Sequence, residues 1–117
     1  MANKNIVPKK LIQRNLKKEK IIGITDLNIY AFFYEKRMEI IGEIYGDIRA
    51  PFVFRCSVYD QDDDIIATGE NRSIGSGLVS NYIIPACFFE GYPFMIDLEI
   101  FDSKKIKKIV IEPDERK

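Results

Sequence analysis

Pro51 to Glu70 reads PFVFRCSVYDQDDDIIATGE, and the way its side chains alternate decides the fold. Phe52, Phe54, Cys56 and Val58 fall on one side of an extended chain, with Arg55 and Ser57 on the other. One apolar side at a period of two predicts a half-buried strand. Asp60, Gln61, Asp62, Asp63 and Asp64 interrupt the pattern, and Ile65, Ile66 and Ala67 resume it, so the acidic run predicts a hairpin turn between two strands.

The same alternation extends outward in both directions. In LNIYAFFY (27–34), Leu27, Ile29, Ala31 and Phe33 oppose Asn28, Tyr30, Phe32 and Tyr34. A polar turn at Glu35, Lys36 and Arg37 leads to Met38, Ile40, Gly42 and Ile44, which alternate with Glu39, Ile41, Glu43 and Tyr45. Gly42 and Gly46 predict a bulge or a close backbone approach in that strand. Downstream, residues 71–77 read as a loop, and 78–89 as an apolar segment in which Pro85 marks an edge, a bulge or a crossing between sheets. Phe94, Ile96, Leu98 and Ile100 alternate with Met95, Asp97, Glu99 and Phe101. Ile106 to Ile111 forms a last strand whose Lys107 and Lys108 would blunt an open edge, and 112–117 reads as a polar tail. About seven strands with a turn signal every ten or so residues predict an all-β antiparallel sandwich, with an open β-barrel as the alternative.

Composition bounds the rest. A chain of 117 residues, 46% apolar and 31% charged, fits one soluble domain, and no apolar run approaches the roughly 18 residues of a membrane span. The opening MANKNIVPKK has no apolar segment behind it, so a cytoplasmic location is expected. Cys56 and Cys87 are too few for a disulfide framework and are expected as buried, reduced side chains. The formal net charge of zero hides an asymmetry: residues 1–20 hold seven basic residues against one acidic, net +6, and residues 21–117 hold eleven against seventeen, net −6. Residues 1–20 are therefore read as a basic leader, a short helix after Pro8 or a flexible arm, and 21–117 as the sandwich domain. Lys9, Lys10, Arg14, Lys17 and Lys18 are its candidate anion-binding residues, for nucleic-acid phosphates or an anionic surface; the opposite expectation folds the leader back onto the acidic body.

Chemistry is sparse. Histidine is absent, which removes the commonest general base and metal ligand, and neither GxGxxG nor a P-loop pattern occurs. No catalytic residue and no cofactor is expected; paired carboxylates of a glycosidase type are the enzymatic alternative. Asp60, Asp62 and Asp64 have the D-x-D-x-D spacing of a calcium loop, but Ile65 and Asn71 stand where an EF-hand needs Gly and Glu, so a solvated turn is the rival. Tyr30, Phe32, Tyr34 and Tyr45 recur on one face of the first hairpin, which suits either a protein-binding platform or internal packing.

The run Cys56-Ser57-Val58-Tyr59-Asp60, followed by the acidic turn and Ile65-Ile66-Ala67-Thr68-Gly69, resembles the FxLYD type of bacterial immunoglobulin-like sandwich. Cys56 stands where that pattern has Phe and Val58 where it has Leu, while Tyr59 and Asp60 match. Gly42 to Gly46 sits where such domains carry a glycine-bearing strand. Across about residues 38–102, the resemblance implies an immunoglobulin-like fold and an adhesion-like accessory module with no catalytic residues to carry over. The expected function is accordingly protein binding or assembly, through a strand edge or the Tyr-rich face, with another protein or a second copy as partner.

Overall fold

The computed structural model describes residues 5–34, 36–71, 83–87, 90–100 and 106–115. Two hairpins found the two layers. β3 (Ile24–Tyr34) and β4 (Arg37–Gly46) pair antiparallel in the first sheet, and β5 (Phe52–Asp60) and β6 (Ile65–Glu70) pair antiparallel in the second. β7 (Tyr92–Glu99) returns to the first sheet beside β4, and β8 (Ile106–Glu115) to the second beside β5. Two short strands from the leader complete the layers. β1 (Asn5–Ile6) joins β3 and β2 (Ile12–Arg14) joins β8, giving sheet orders β1-β3-β4-β7 and β2-β8-β5-β6. Neither sheet closes on itself, so the fold is an all-β sandwich rather than a barrel.

The alternation read from β5 is the alternation of the core. Phe52, Phe54, Cys56 and Val58 are all buried and Arg55 is exposed. They meet Met38, Ile40 and Ile44 of β4, Phe94, Ile96 and Leu98 of β7, and Ile109 and Ile111 of β8 in one apolar cluster. Phe54 crosses the interlayer space to Phe94, ring centroids 4.7 Å apart, and Phe52 packs edge-on against Phe54 at 5.2 Å. Aromatic pairs at these separations add to the area they bury. Ile84 reaches the same core: its N–H donates to the Phe52 carbonyl at 2.8 Å and its carbonyl accepts from Phe52 N–H at 3.0 Å. The rest of the strand expected over 78–89 lies largely outside the described residues.

The leader departs most from expectation. Its boundary at residue 20 falls inside a helix, α1 (Leu16–Ile22), and residues 5–14 are woven into both sheets. The chain runs along β3 as β1, turns once through Lys9–Leu11 after Pro8, and crosses to the second sheet as β2. β2 pairs parallel with β8, so the sandwich is not purely antiparallel. Leu11, Ile12 and Leu16, the apolar residues that a helix after Pro8 would have carried, therefore fall in three different elements. Asn15 starts the helix, its side chain accepting from Lys18 N–H at 3.0 Å, and Gly23 ends it with φ 111°. Such a left-handed residue is a common helix stop and is usually glycine.

Gly23 also explains the second glycine. A Cβ on Gly46 would lie 2.2 Å from the Gly23 carbonyl oxygen, and a Cβ on Gly23 would lie 2.1 Å from that of Asp47. The close backbone approach expected at Gly46 is thus the seam where β4 leaves the first sheet. Asp47 N–H donates to Gly23 O and Arg49 N–H to Ile22 O across it.

Three smaller expectations are corrected. β8 runs to Glu115 instead of ending at Ile111, because Phe52 to Arg55 of β5 take Glu115 to Glu112 as ladder partners. β8 is also not an edge at its centre, since β2 covers Ile109 to Ile111. Cys87 is exposed, held at φ 64° by its N–H donating to Ile48 O, while Cys56 is buried as expected.

Candidate protein-interaction site

An antiparallel sheet with one solvated face should be polar outside. The outer face of the first sheet departs from this at its centre. The register sets Tyr30 opposite Ile41, and Ile41 opposite Met95, so three apolar side chains form one row across three strands. The adjoining row runs Ile6, Phe32, Glu39, Asp97. Ile6 is 71%, Tyr30 46% and Ile41 36% exposed, and Phe32 and Met95 are half-buried. Lys9 lies 4.6 Å from the Tyr30 ring centroid, so the leader borders the patch with a cation–π contact.

Acids surround this patch. Asp26, Glu43 and Glu99 are exposed on the same face, and Asp97 pairs with Arg37, whose Nε donates to Oδ1 at 3.3 Å. Tyr45 stands beyond Glu43, its hydroxyl donating to Glu43 Oε2 at 2.8 Å. That bond to a carboxylate raises the phenol above its usual range. Tyr30 and Phe32 thus share the patch, Tyr45 sits at its acidic border, and the Tyr34 side chain lies outside the described residues. Sequence reading named the aromatics and passed over Ile6, Ile41 and Met95. The signal for Ile41 was present, because it sits between Glu39 and Glu43 on the side that should be polar.

The edges of the first sheet are poorer sites. Beyond β1, the β3 edge borders a cleft of about 230 Å³ lined by Lys9, Ile12, Arg14, Leu27, Asn28 and Ile29, but the Leu27 N–H is already taken by Asp26 Oδ1 at 2.9 Å. The β7 edge strand carries Pro93. Both are devices that discourage strand addition.

The leader's cations divide into two groups. Arg14 donates through Nε and Nη2 to the buried carboxylate of Glu19, a bond that raises the guanidinium pKa further. Lys18 pairs with Glu112 of β8 at 3.5 Å, where Asn15 also donates. Lys9 is on Tyr30. Lys10, Lys17 and Lys20 are exposed. Lys18 thus ties the leader to the body through Glu112, whereas the Arg14–Glu19 pair lies within the leader itself.

In the acidic turn, carboxylate oxygens of Asp60, Asp62 and Asp64 lie within 4.8 Å of one another. Asp60 Oδ1 accepts from Asp62 N–H at 2.9 Å and Asp64 N–H at 3.0 Å, which accounts for the turn by backbone hydrogen bonding. Asp63 takes a positive φ there, and Lys107 Nζ donates to it at 2.8 Å, holding its carboxyl below the usual range.

Searches against protein families, curated proteins and solved structures find no match for this chain. Among the described residues, no helix is long and apolar enough to cross a membrane.

Proposed function

We propose that this sandwich is a non-enzymatic protein-binding module and that its working surface is the outer face of the first sheet. One observation carries the reading: the row Tyr30, Ile41, Met95 presents apolar area to solvent from three adjacent strands. Exposed patches of this kind, rimmed by polar groups, are a usual mark of recognition surfaces, and tyrosine supplies area and a hydrogen bond together. The lack of histidine and the modest clefts, about 180–300 Å³, support a binding role over a catalytic one. The resemblance around Cys56 to Gly69 implies the same class of accessory module.

The test is affinity capture from native lysate with the wild-type chain beside Ile41→Lys, a substitution on the exposed face that leaves the core intact. A partner held by the wild type and lost by the variant supports the reading. Recovery of the same proteins in equal amounts by both would overturn it.

A further inference from the structure

We propose that the outer edge of β6 joins a second copy of the chain, β6 to β6 across a two-fold axis at Thr68, so that two four-stranded sheets become one continuous sheet. This contact is separate from the sheet face above and leaves that face open on both copies.

β6 closes one end of the second sheet, and among the described residues no strand pairs with its far side. The other three end strands are short or defended. β1 and β2 have two and three residues, and β7 carries Pro93 together with Asp97 and Glu99. β6, IIATGE, has six residues with neither proline nor lysine, the usual guards of an open edge. Ile65 and Ile66 are 55% and 38% exposed. Thr68 is exposed too, at the border of a cleft of about 300 Å³ that Arg37, Asp97, Leu98 and Glu99 also line.

The ladder with β5 fixes which backbone groups of β6 face outward. Antiparallel partners alternate between pairs that exchange hydrogen bonds and pairs that do not. Asn71 N–H donates to Phe54 O at 3.2 Å, so the bonded pairs that follow are Gly69 with Cys56 and Ala67 with Val58. Thr68 lies between them, opposite Ser57 in a non-bonded pair, and its N–H and C=O therefore point away from β5. The irregularity opposite Tyr59 ends the flat stretch at Ile65 and Ile66, which centres an added strand on Thr68.

Self-pairing about Thr68 suits the side chains. Thr68 meets Thr68 of the second copy, each N–H donating to the other's carbonyl, and threonine pairs are favourable across strands. On the inner side Ala67 meets Gly69 of the second copy, a position kept bare because a Cβ there would lie 2.1 Å from Leu98 Cδ2. Ile66 comes beside Glu70 of the second copy, a carboxylate that Arg55 of its own chain holds at 3.5 Å. Ile65 to Gly69 carry no charge, so identical edges do not repel. On β7 the same operation would bring Asp97 and Glu99 toward their own copies. The contact is isologous and closes at two copies.

The experiment uses four full-length proteins: wild type, Thr68→Pro, Ile66→Lys and Ile41→Lys. Molar mass is read by light scattering over a concentration series. The wild type should rise from the 13.6 kDa protomer to a ceiling of about 27 kDa and go no further. Thr68→Pro removes an N–H that does not bond to β5, so the hairpin should survive with an unchanged circular-dichroism spectrum while association is lost. Ile66→Lys, which places a charge on the edge, should likewise stay monomeric, and Ile41→Lys should associate as the wild type does. Amide exchange adds a reading that needs no variant: Thr68 N–H should slow as concentration rises, while Ala67 N–H, already bonded to Val58, should change little. A wild type monomeric throughout, a Thr68 amide indifferent to concentration, or association retained in Ile66→Lys would overturn the edge contact. Loss of association in Ile41→Lys would overturn it as well and move the contact to the sheet face.

Discussion

Arg14 and Glu19 are joined by a two-pronged ion pair, with Nε 3.0 Å from Oε2 and Nη2 on Oε1, and the Glu19 side chain is only 3% exposed. Five residues apart, they clamp the end of β2 to the start of α1. Removing its partner would leave a buried carboxylate without its ion pair and hydrogen bonds. Arg14→Ala should therefore destabilise the fold by about 2–3 kcal/mol, below the value for a fully buried pair because the guanidinium is partly solvated. The double variant Arg14→Ala/Glu19→Leu should recover part of that loss. Urea denaturation of the three proteins checks it, and an Arg14→Ala loss within 0.5 kcal/mol of zero would show the pair to be ornamental (about the noise of a surface substitution).

Cys56 gives a pH dependence. Burial pushes its thiol up to about 12 from an ordinary 9.0, because the thiolate cannot be solvated in the core. Between those values the unfolded chain releases the proton and the folded chain keeps it, so this site's contribution to stability is full below pH 9 and falls as pH rises. The slope expected from it is about 1.4 kcal/mol per pH unit. Cys56→Ala should remove that slope in denaturation curves taken from pH 8 to 10. At pH 8 a thiol reagent should find one fast cysteine, the exposed Cys87, with the second appearing only on unfolding.

For the acidic turn, Asp60 is the member whose loss should be felt. Its Oδ1 holds two backbone N–H groups, so Asp60→Ala should cost about 1 kcal/mol, whereas Asp62→Ala should fall within about 0.5 kcal/mol of wild type. Millimolar calcium should leave the melting temperatures of the wild type and of Asp62→Ala unchanged. A calcium-induced rise that disappears in Asp62→Ala would replace the turn reading with a metal site.

Gly23→Ala combines two penalties, a positive φ and a Cβ placed 2.1 Å from the Asp47 carbonyl oxygen. A destabilisation of about 2 kcal/mol or more is expected, read as a lower urea midpoint at unchanged m-value. Because the strain lies at the seam between α1, β3 and β4, amide exchange should quicken first at Asp47 and Arg49, whose N–H groups bridge to Gly23 and Ile22.

Much of the layer structure is legible residue by residue. Phe52, Phe54, Cys56 and Val58 on β5, and Phe94, Ile96 and Leu98 on β7, are buried as their alternation requires. Asn15 and Gly23 also bracket α1 in the sequence, as cap and stop. Reading the leader from Pro8 instead missed them, because β2 hides the helix start behind residues that share its apolar pattern. The cations of the leader were legible as a sum and illegible as individuals: nothing local to Lys18 says that Glu112, on β8, will engage it while Lys17 and Lys20 stay in water.

The sequence by itself determined that the chain is built of strands with one greasy side, since which way a side chain points depends only on its own stretch of backbone. Tertiary structure decided which strands became neighbours and in what register. It brought Met95 beside Ile41, and Ile6 beside Phe32, from 54 and 26 positions away in the chain (the spacing of their numbers), and so made a patch from residues that are ordinary one at a time. The physical reason is range: alternation is enforced by local sterics, whereas register is chosen by the packing of the whole interlayer core.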